Sequence, residues 1–147
     1  MKRALLPPKI AWPDWQITSV NMVALNKETV YLLDDDASIL KSTGRLLDSA
    51  GWKVEVFTDP NAFLVRAAMH FPDVAVIDIL MPVMSGLEVQ TRLRRVSPST
   101  RVIVLTAKDD VSVRRMAMSG GASAFFIKGV ESGEFLAGVK AAADSRN

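Results

Sequence analysis

Asp34, Asp35 and Asp36 follow one another directly behind the apolar run Thr29-Val30-Tyr31-Leu32-Leu33, and a fourth acid, Asp78, closes a second apolar run, VAVI. Thr106 ends a third such run, RVIVLT, and Lys128 follows a fourth, AFFI. If these runs are neighbouring strands, the acids, the hydroxyl and the ammonium meet at one rim. Two unit charges about 4 Å apart repel by roughly 4 kcal/mol at an effective dielectric near 20, so clustered carboxylates are costly unless cations offset them. Lys128 alone does not suffice. A hard divalent cation suits the remainder, and Mg²⁺ prefers one or two carboxylates, retained waters and a phosphoryl oxygen to a full protein cage.

Positioning these groups requires the runs to lie side by side, and the segments between them have helical period. SILKSTGRLLDSA puts Ile39, Leu40, Leu46 and Leu47 on one stripe and ends at Gly51, suited to the position just past a helix. WKVEVF (52–57) alternates as a half-exposed strand does, and Asp59-Pro60 reads as N-cap and first residue of a helix carrying Phe63, Leu64 and Met69. DVAVID (73–78) is continuously apolar up to its acid, as burial on both faces demands. Gly86 precedes the helical LEVQTRLRRV, RVIVLT (101–106) is a fourth strand, and VSVRRMAMSGG is a helix closed by Gly120 and Gly121. AFFIK (124–128) and EFLAGVKAAAD complete five strand–helix units. The alternation predicts an α/β domain, a doubly wound five-stranded parallel sheet of order 2-1-3-4-5, flavodoxin-like, with helices on both faces. Its ligand crevice lies beyond the carboxyl ends of the strands, at the switch point between strands 1 and 3.

Composition bounds the partners. The 147 residues are 49% hydrophobic, enough for one domain with a real core. Eighteen Lys and Arg against 16 Asp and Glu leave a net charge of only +2, without the dense basic stripe that nucleic-acid binding needs. Cysteine is absent, which excludes thiolate metal sites and a cysteine nucleophile. No run approaches the roughly 20 apolar residues of a membrane span, and Pro7 and Pro8 interrupt the only stretch resembling a signal peptide. A cytoplasmic protein without membrane or nucleic-acid contacts of its own is expected. Residues 1–28 show no sustained period and read as an N-terminal extension: either a loose tail, or a segment whose Trp12 and Trp15 dock on the domain or a partner. Translation beginning at Met22 is a further alternative. The domain is expected over 29–144, with 145–147 as a C-terminal tail.

Taken in order, LLDDD, VIDILMPVMSG, VLTA and GASAFFIK resemble the receiver domain of two-component response regulators, with the CheY-like (βα)5 fold. DPNAFL at the second helix is similar to receivers that precede helix-turn-helix domains. The resemblance implies that Asp78 accepts a phosphoryl group from a phosphohistidine on a sensor histidine kinase or phosphotransfer protein. It assigns Mg²⁺ to Asp34, Asp35, Asp78 and the backbone carbonyl of Leu80, and pairs Lys128 with the phosphoryl oxygens. Thr106 would bond the phosphoryl group and draw in its loop while Phe125 turns inward, reshaping the face made by the fourth helix, fifth strand and fifth helix. A downstream effector, an output domain or a second copy would read that face. Catalysis would be confined to the chain's own phosphorylation and dephosphorylation, so the protein is not an enzyme acting on an external substrate.

Several residues depart from the pattern or stay outside it. Asp36 is expected to be a helix-entry acid, the alternative being a water-mediated metal contact. His70 is expected to be exposed or merely packing, and Arg92, Arg94, Arg95, Arg114 and Arg115 to be solvated helix faces, the last two near the output face. Where the family usually has Lys-Pro with a cis bond, the chain has Lys128-Gly129. A cis bond before a non-proline costs about 3–4 kcal/mol, so a trans peptide and a rearranged loop are expected. Leu80 and Lys108 flank the expected line of water attack on phosphorylated Asp78, and an apolar Leu80 is expected to slow hydrolysis. Three other functions compete with this reading. A pseudo-receiver would use the fold as a phosphorylation-independent binding module. A phosphatase of the haloacid dehalogenase type needs a second acid where Leu80 stands, and nucleotide binding needs a glycine-rich loop where DDDAS stands. The chain is expected to be either a stand-alone regulator or a receiver separated from a DNA-binding output domain.

Overall fold

A computed structural model describes residues 28–145. The expectations for Trp12, Trp15 and a start at Met22 lie outside them. Five strands, β1 (Thr29–Leu33), β2 (Lys53–Phe57), β3 (Val74–Ile77), β4 (Arg101–Thr106) and β5 (Ala124–Ile127), alternate with five helices. These are α1 (Ala37–Ser49), α2 (Pro60–His70), α3 (Gly86–Val96), α4 (Val111–Ser119) and α5 (Ser132–Asp144). The sheet is parallel throughout, in the order β2-β1-β3-β4-β5, the expected doubly wound arrangement.

Adjacent residues of the central strands feed opposite layers. Val30, Leu32, Val74 and Val76 face one cluster with Leu40 and Leu47 of α1 and Phe135 and Val139 of α5. Tyr31, Leu33, Ala75 and Ile77 face the other, with Phe63 of α2, Leu93 of α3 and Ala117 of α4. Two covered faces are why these strands are continuous apolar runs rather than alternating ones. β2 is an edge strand, and its alternation reads accordingly, with Val56 exposed.

Every helix starts on an oxygen that caps its free N–H groups: Asp36, Asp59, Ser85, Asp110 and Glu131. Asp59 and Pro60 hold the cap and first position expected of them. Gly51 (φ 97°) and Gly121 (φ 101°) turn the chain out of α1 and α4. The helix carries Phe63, Leu64 and Met69 as expected, but its buried stripe is Pro60, Phe63 and Ala67, which leaves Met69 65% exposed. Met69 falls outside the three-and-four-residue steps from Phe63 that Ala67 completes.

The connection from β5 to α5 is a tight turn in which Val130 N–H donates to Ile127 O at 3.0 Å and Gly129 has φ 98°. Positive φ at the third turn position is the type II requirement that glycine meets without strain, and proline's fixed φ cannot. Glycine at this position is therefore a demand of this particular turn.

Candidate functional site

Ladder register builds the site. Leu33 pairs with Ile77, so the next residues, Asp34 and Asp78, emerge side by side, tied by Asp78 N–H to Leu33 O at 3.0 Å. Thr106 pairs with Ile127, and Lys128 N–H donates to Thr106 O at 2.8 Å, which brings Lys128 to the same rim. Its ammonium reaches across the sheet to Asp34 Oδ2 at 2.8 Å and Asp78 Oδ2 at 3.4 Å. The two aspartates are almost fully buried, and Thr106 is buried with them.

Asp34, Asp35 and Asp78 each offer a carboxylate oxygen, all within 4.8 Å of one another. Asp35 alone of the three is exposed. An all-oxygen donor set carrying three negative charges against one lysine suits a hard divalent cation. The Thr106 hydroxyl is buried without a hydrogen-bond partner, a donor left for an oxygen-rich group above Asp78. Leu80 N–H lies 3.4 Å from Asp78 Oδ1, and the Leu80 side chain is exposed over the rim.

Asp36 has other duties. Its carboxylate accepts from Ser38 N–H at 2.9 Å and Ser38 Oγ at 2.7 Å, and so caps α1. The Ser38 hydroxyl first, and then its N–H, hold Asp36 below the usual carboxylate range. Its own N–H donates to Asp34 Oδ1 at 2.9 Å, so the cap also orients the neighbouring acid. An Asp35→Asn change is expected to weaken Mg²⁺ binding at least tenfold, because even groups that only support a metal ligand are worth about 10–100-fold. Asp36→Asn, with an equally good cap, should move Mg²⁺ affinity less than about twofold. Titrating both variants with Mg²⁺ checks this, and equal losses would remove the distinction between the two acids.

Burial first, and the adjoining Asp34 carboxylate second, push Asp78 above the ordinary carboxylate range, against the pull of Lys128. Burial draws Lys128 down, but its hydrogen bond to Asp34 and the charges of Asp78 and Asp34 outweigh that, and its pKa rises. Lys128 therefore stays charged at neutral pH. For Asp78 the sign is unfavourable: the folded state binds its proton more tightly than the unfolded chain, so stability falls as pH rises through the raised value. Asp78→Asn is expected to stabilise the metal-free protein at pH 7 by roughly 0.5–2 kcal/mol, the usual return for relieving a strained functional site. The advantage should shrink as pH falls towards the unfolded carboxylate range. Denaturant unfolding at several pH values reads it, and a less stable variant at pH 7 would contradict it.

Two contacts escaped the sequence. Gly86 N–H donates to Ile79 O at 3.0 Å, and a Cβ on Gly86 would stand 2.2 Å from Asp78 O and 2.8 Å from Ile79 Cα. The glycine after MPVMS was a visible signal, but not its contact with the Asp78 backbone. Arg114 is exposed, as expected, yet its guanidinium also lies over the ring of buried Phe125, 4.7 Å from the centroid. Arg94, also exposed, donates to Gly120 O at 3.0 Å, and Arg92 pairs with exposed Glu88. His70 is exposed at the last residue of α2 and lies 3.0 Å from Arg66.

The family model of the response regulator receiver domain matches residues 30–140. The response regulator protein TodT of Pseudomonas putida is 30% identical over 125 residues, 85% of this chain and 55% of TodT. The chain spans about half the length of the curated relatives it matches. Among solved structures, a CheY-like receiver domain protein of Methanospirillum hungatei superposes with a TM-score of 0.78 at 26% identity, covering 82% of this chain and 97% of that one. A BeF3-activated DrrB receiver domain gives 0.73 at 27% identity, covering 80% and 98%.

Proposed function

The chain belongs to the family of response regulator receiver domains, and from that premise we propose that it is the phosphoacceptor of a two-component phosphorelay, with Asp78 as nucleophile. One observation carries the reading. A buried carboxylate at a strand end is flanked by a buried-facing lysine, two more carboxylates and a partnerless buried hydroxyl.

An Asp78 oxygen attacks the phosphorus of a phosphohistidine on a sensor histidine kinase or phosphotransfer protein. A P–O bond forms, the P–N bond breaks, and the imidazole leaves with a proton. Asp34, Asp35, Asp78 and the backbone carbonyl of Leu80 would hold Mg²⁺, which when bound neutralises charge on the transferring group. Lys128 and Thr106 supply the donors that the added oxygens require. Burial of Asp78 excludes water from its inner side and leaves the rim as the approach. The chain acts only on its own aspartate. An effector protein, an output domain or a second copy would read the result at the face of α4, β5 and α5. Among the described residues no helix is long and apolar enough to cross a membrane.

Leu80 sets the lifetime of the acyl phosphate in this reading, since its exposed side chain stands beside the approach of water. Leu80→Asn, which offers water a hydrogen bond, is expected to speed dephosphorylation about threefold to tenfold, on the scale of one hydrogen bond. A decay assay of the phosphorylated protein checks this, and an unchanged half-life would exclude Leu80 from the role.

Gly129 favours the second reading, a pseudo-receiver that binds without phosphorylation, because it alters the turn carrying Lys128. Incubation with Mg²⁺ and acetyl phosphate separates the two. The phosphoacceptor reading expects a mass gain of one phosphoryl group that a chelator or Asp78→Asn prevents; no gain under any condition would favour the pseudo-receiver.

A further inference from the structure

Helix α4 is held in an unusual way. Of its nine residues only Ala117 is buried, while Val111, Met116 and Met118 are exposed. Its apolar anchorage is Ala117 and the half-buried Val113, and polar ties at both ends add to the fastening. At its C-terminal end, the buried Gln90 of α3 donates from Nε2 to Ala117 O at 2.9 Å, and Arg94 donates to Gly120 O at 3.0 Å. Gln90 adds a second donor to Ala117 O, which also accepts Ala122 N–H at 3.0 Å, and Arg94 satisfies a carbonyl just past the helix end. At its N-terminal half the tie is Arg114. Its guanidinium bonds Asp109 Oδ1 at 3.0 Å and lies over the Phe125 ring of β5.

Asp109 lies three residues beyond Thr106, in the loop between β4 and α4. Arg114 thus links the loop that follows Thr106, the helix after that loop and the aromatic ring on the neighbouring strand. Neither of its partners belongs to the acid pocket. Phe125 therefore has support for its buried position that does not come from Asp78.

We propose that Arg114 is a latch on Phe125: clamped by Asp109, it holds the ring inward and keeps the N-terminal half of α4 closed over β5. The inference rests on the reading of Asp78 as phosphoacceptor only for its consequence, that the latch biases the domain towards the inward arrangement and so favours occupation of Asp78. The coupling is reciprocal, because whatever favours the inward ring at one site must be favoured by it at the other. Gln90 and Arg94 make the C-terminal end of α4 the fixed point about which its first turn opens.

An exposed ion pair and an exposed cation–π contact together set the scale: the latch shifts the equilibrium by about 3- to 10-fold. Amide hydrogen exchange on the full chain tests the latch itself. In Arg114→Ala, exchange at residues 111–115 should rise by about that factor while residues near Ala117 and Gly120 keep their rates. Asp109→Asn should give a smaller rise in the same segment. Unchanged exchange at 111–115, or an equal acceleration throughout the domain, would overturn the latch. Beryllofluoride titration with Mg²⁺ tests the consequence: half-saturation should move to about 3- to 10-fold higher concentration in Arg114→Ala, and an unmoved midpoint would overturn the coupling. Should the parent chain take up no beryllofluoride, the phosphoacceptor reading fails, and the exchange data still decide the latch.

Discussion

Lys128→Ala is expected to destabilise the metal-free protein by about 2–3 kcal/mol at neutral pH, somewhat below the 3–5 typical when one partner of a buried ion pair is removed. Lys128 is the cation within 4 Å of either Asp34 or Asp78 among the described residues, and both carboxylates are almost fully buried. Without it, two adjoining charges remain in a poor solvent. The loss stays below the full range because Asp78, already pushed up by burial and by Asp34, can take a proton. The same argument fixes the pH dependence. Removing the lysine takes away the neighbouring charge that pulls Asp78 down and so raises its folded pKa further; the defect grows as pH rises through that value and fades in acid. Added Mg²⁺ should restore most of the loss by binding the folded state alone, yet acetyl phosphate labelling should remain at least tenfold slower, since a donor to the transferring oxygens is gone. Denaturant unfolding with and without Mg²⁺ measures the first effect. A variant as stable as the parent without metal would show that Lys128 does not balance the acids.

Gly86→Ala is expected to damage both stability and labelling. The methyl group would enter at 2.2 Å from Asp78 O and 2.8 Å from Ile79 Cα, and both obstacles are backbone. No side-chain rotation relieves that contact, so the start of α3 and the strand end carrying Asp78 must separate. Overpacking of this kind costs about 1–3 kcal/mol or more. A displacement of about 1 Å at the nucleophile can lower the rate about 100-fold. Gly51→Ala is the matching control. A Cβ there meets nothing within 4 Å, and its φ of 97° brings strain alone, so it should lose about 1 kcal/mol and label normally. If Gly86→Ala labels at the parental rate, the glycine serves the fold and not the nucleophile.

Much of this arrangement was legible in the sequence because the chemistry sits at strand ends. Continuous apolar runs located the central strands, and a parallel sheet places the residue after each run at one rim, so Asp34, Asp78, Thr106 and Lys128 could be gathered before any geometry was known. Asp59-Pro60 and the glycines after α1 and α4 marked helix ends by local chemistry alone. Met69 could not be placed that way, since a weakly amphipathic helix leaves its buried stripe ambiguous until the sheet selects Phe63 and Ala67. Arg114 is exposed, as a long cationic side chain on a helix usually is. Its stacking on Phe125 depends on α4 and β5 meeting across the sheet edge, which no local pattern encodes. The contact of Gly86 with the Asp78 backbone was hidden for the same reason. Asp36 was separable from its neighbours because a cap and a metal ligand place different demands on position.

The most direct measurement is the location of the acyl phosphate. After incubation with acetyl phosphate and Mg²⁺, borohydride reduction converts a phosphorylated aspartate to homoserine, which peptide mass spectrometry can place in the sequence. The expected result is homoserine at position 78, absent when Mg²⁺ is chelated and absent in Asp78→Asn. Homoserine at position 34 or 35, or full labelling retained in Asp78→Asn, would contradict the assignment of Asp78 as the phosphoacceptor.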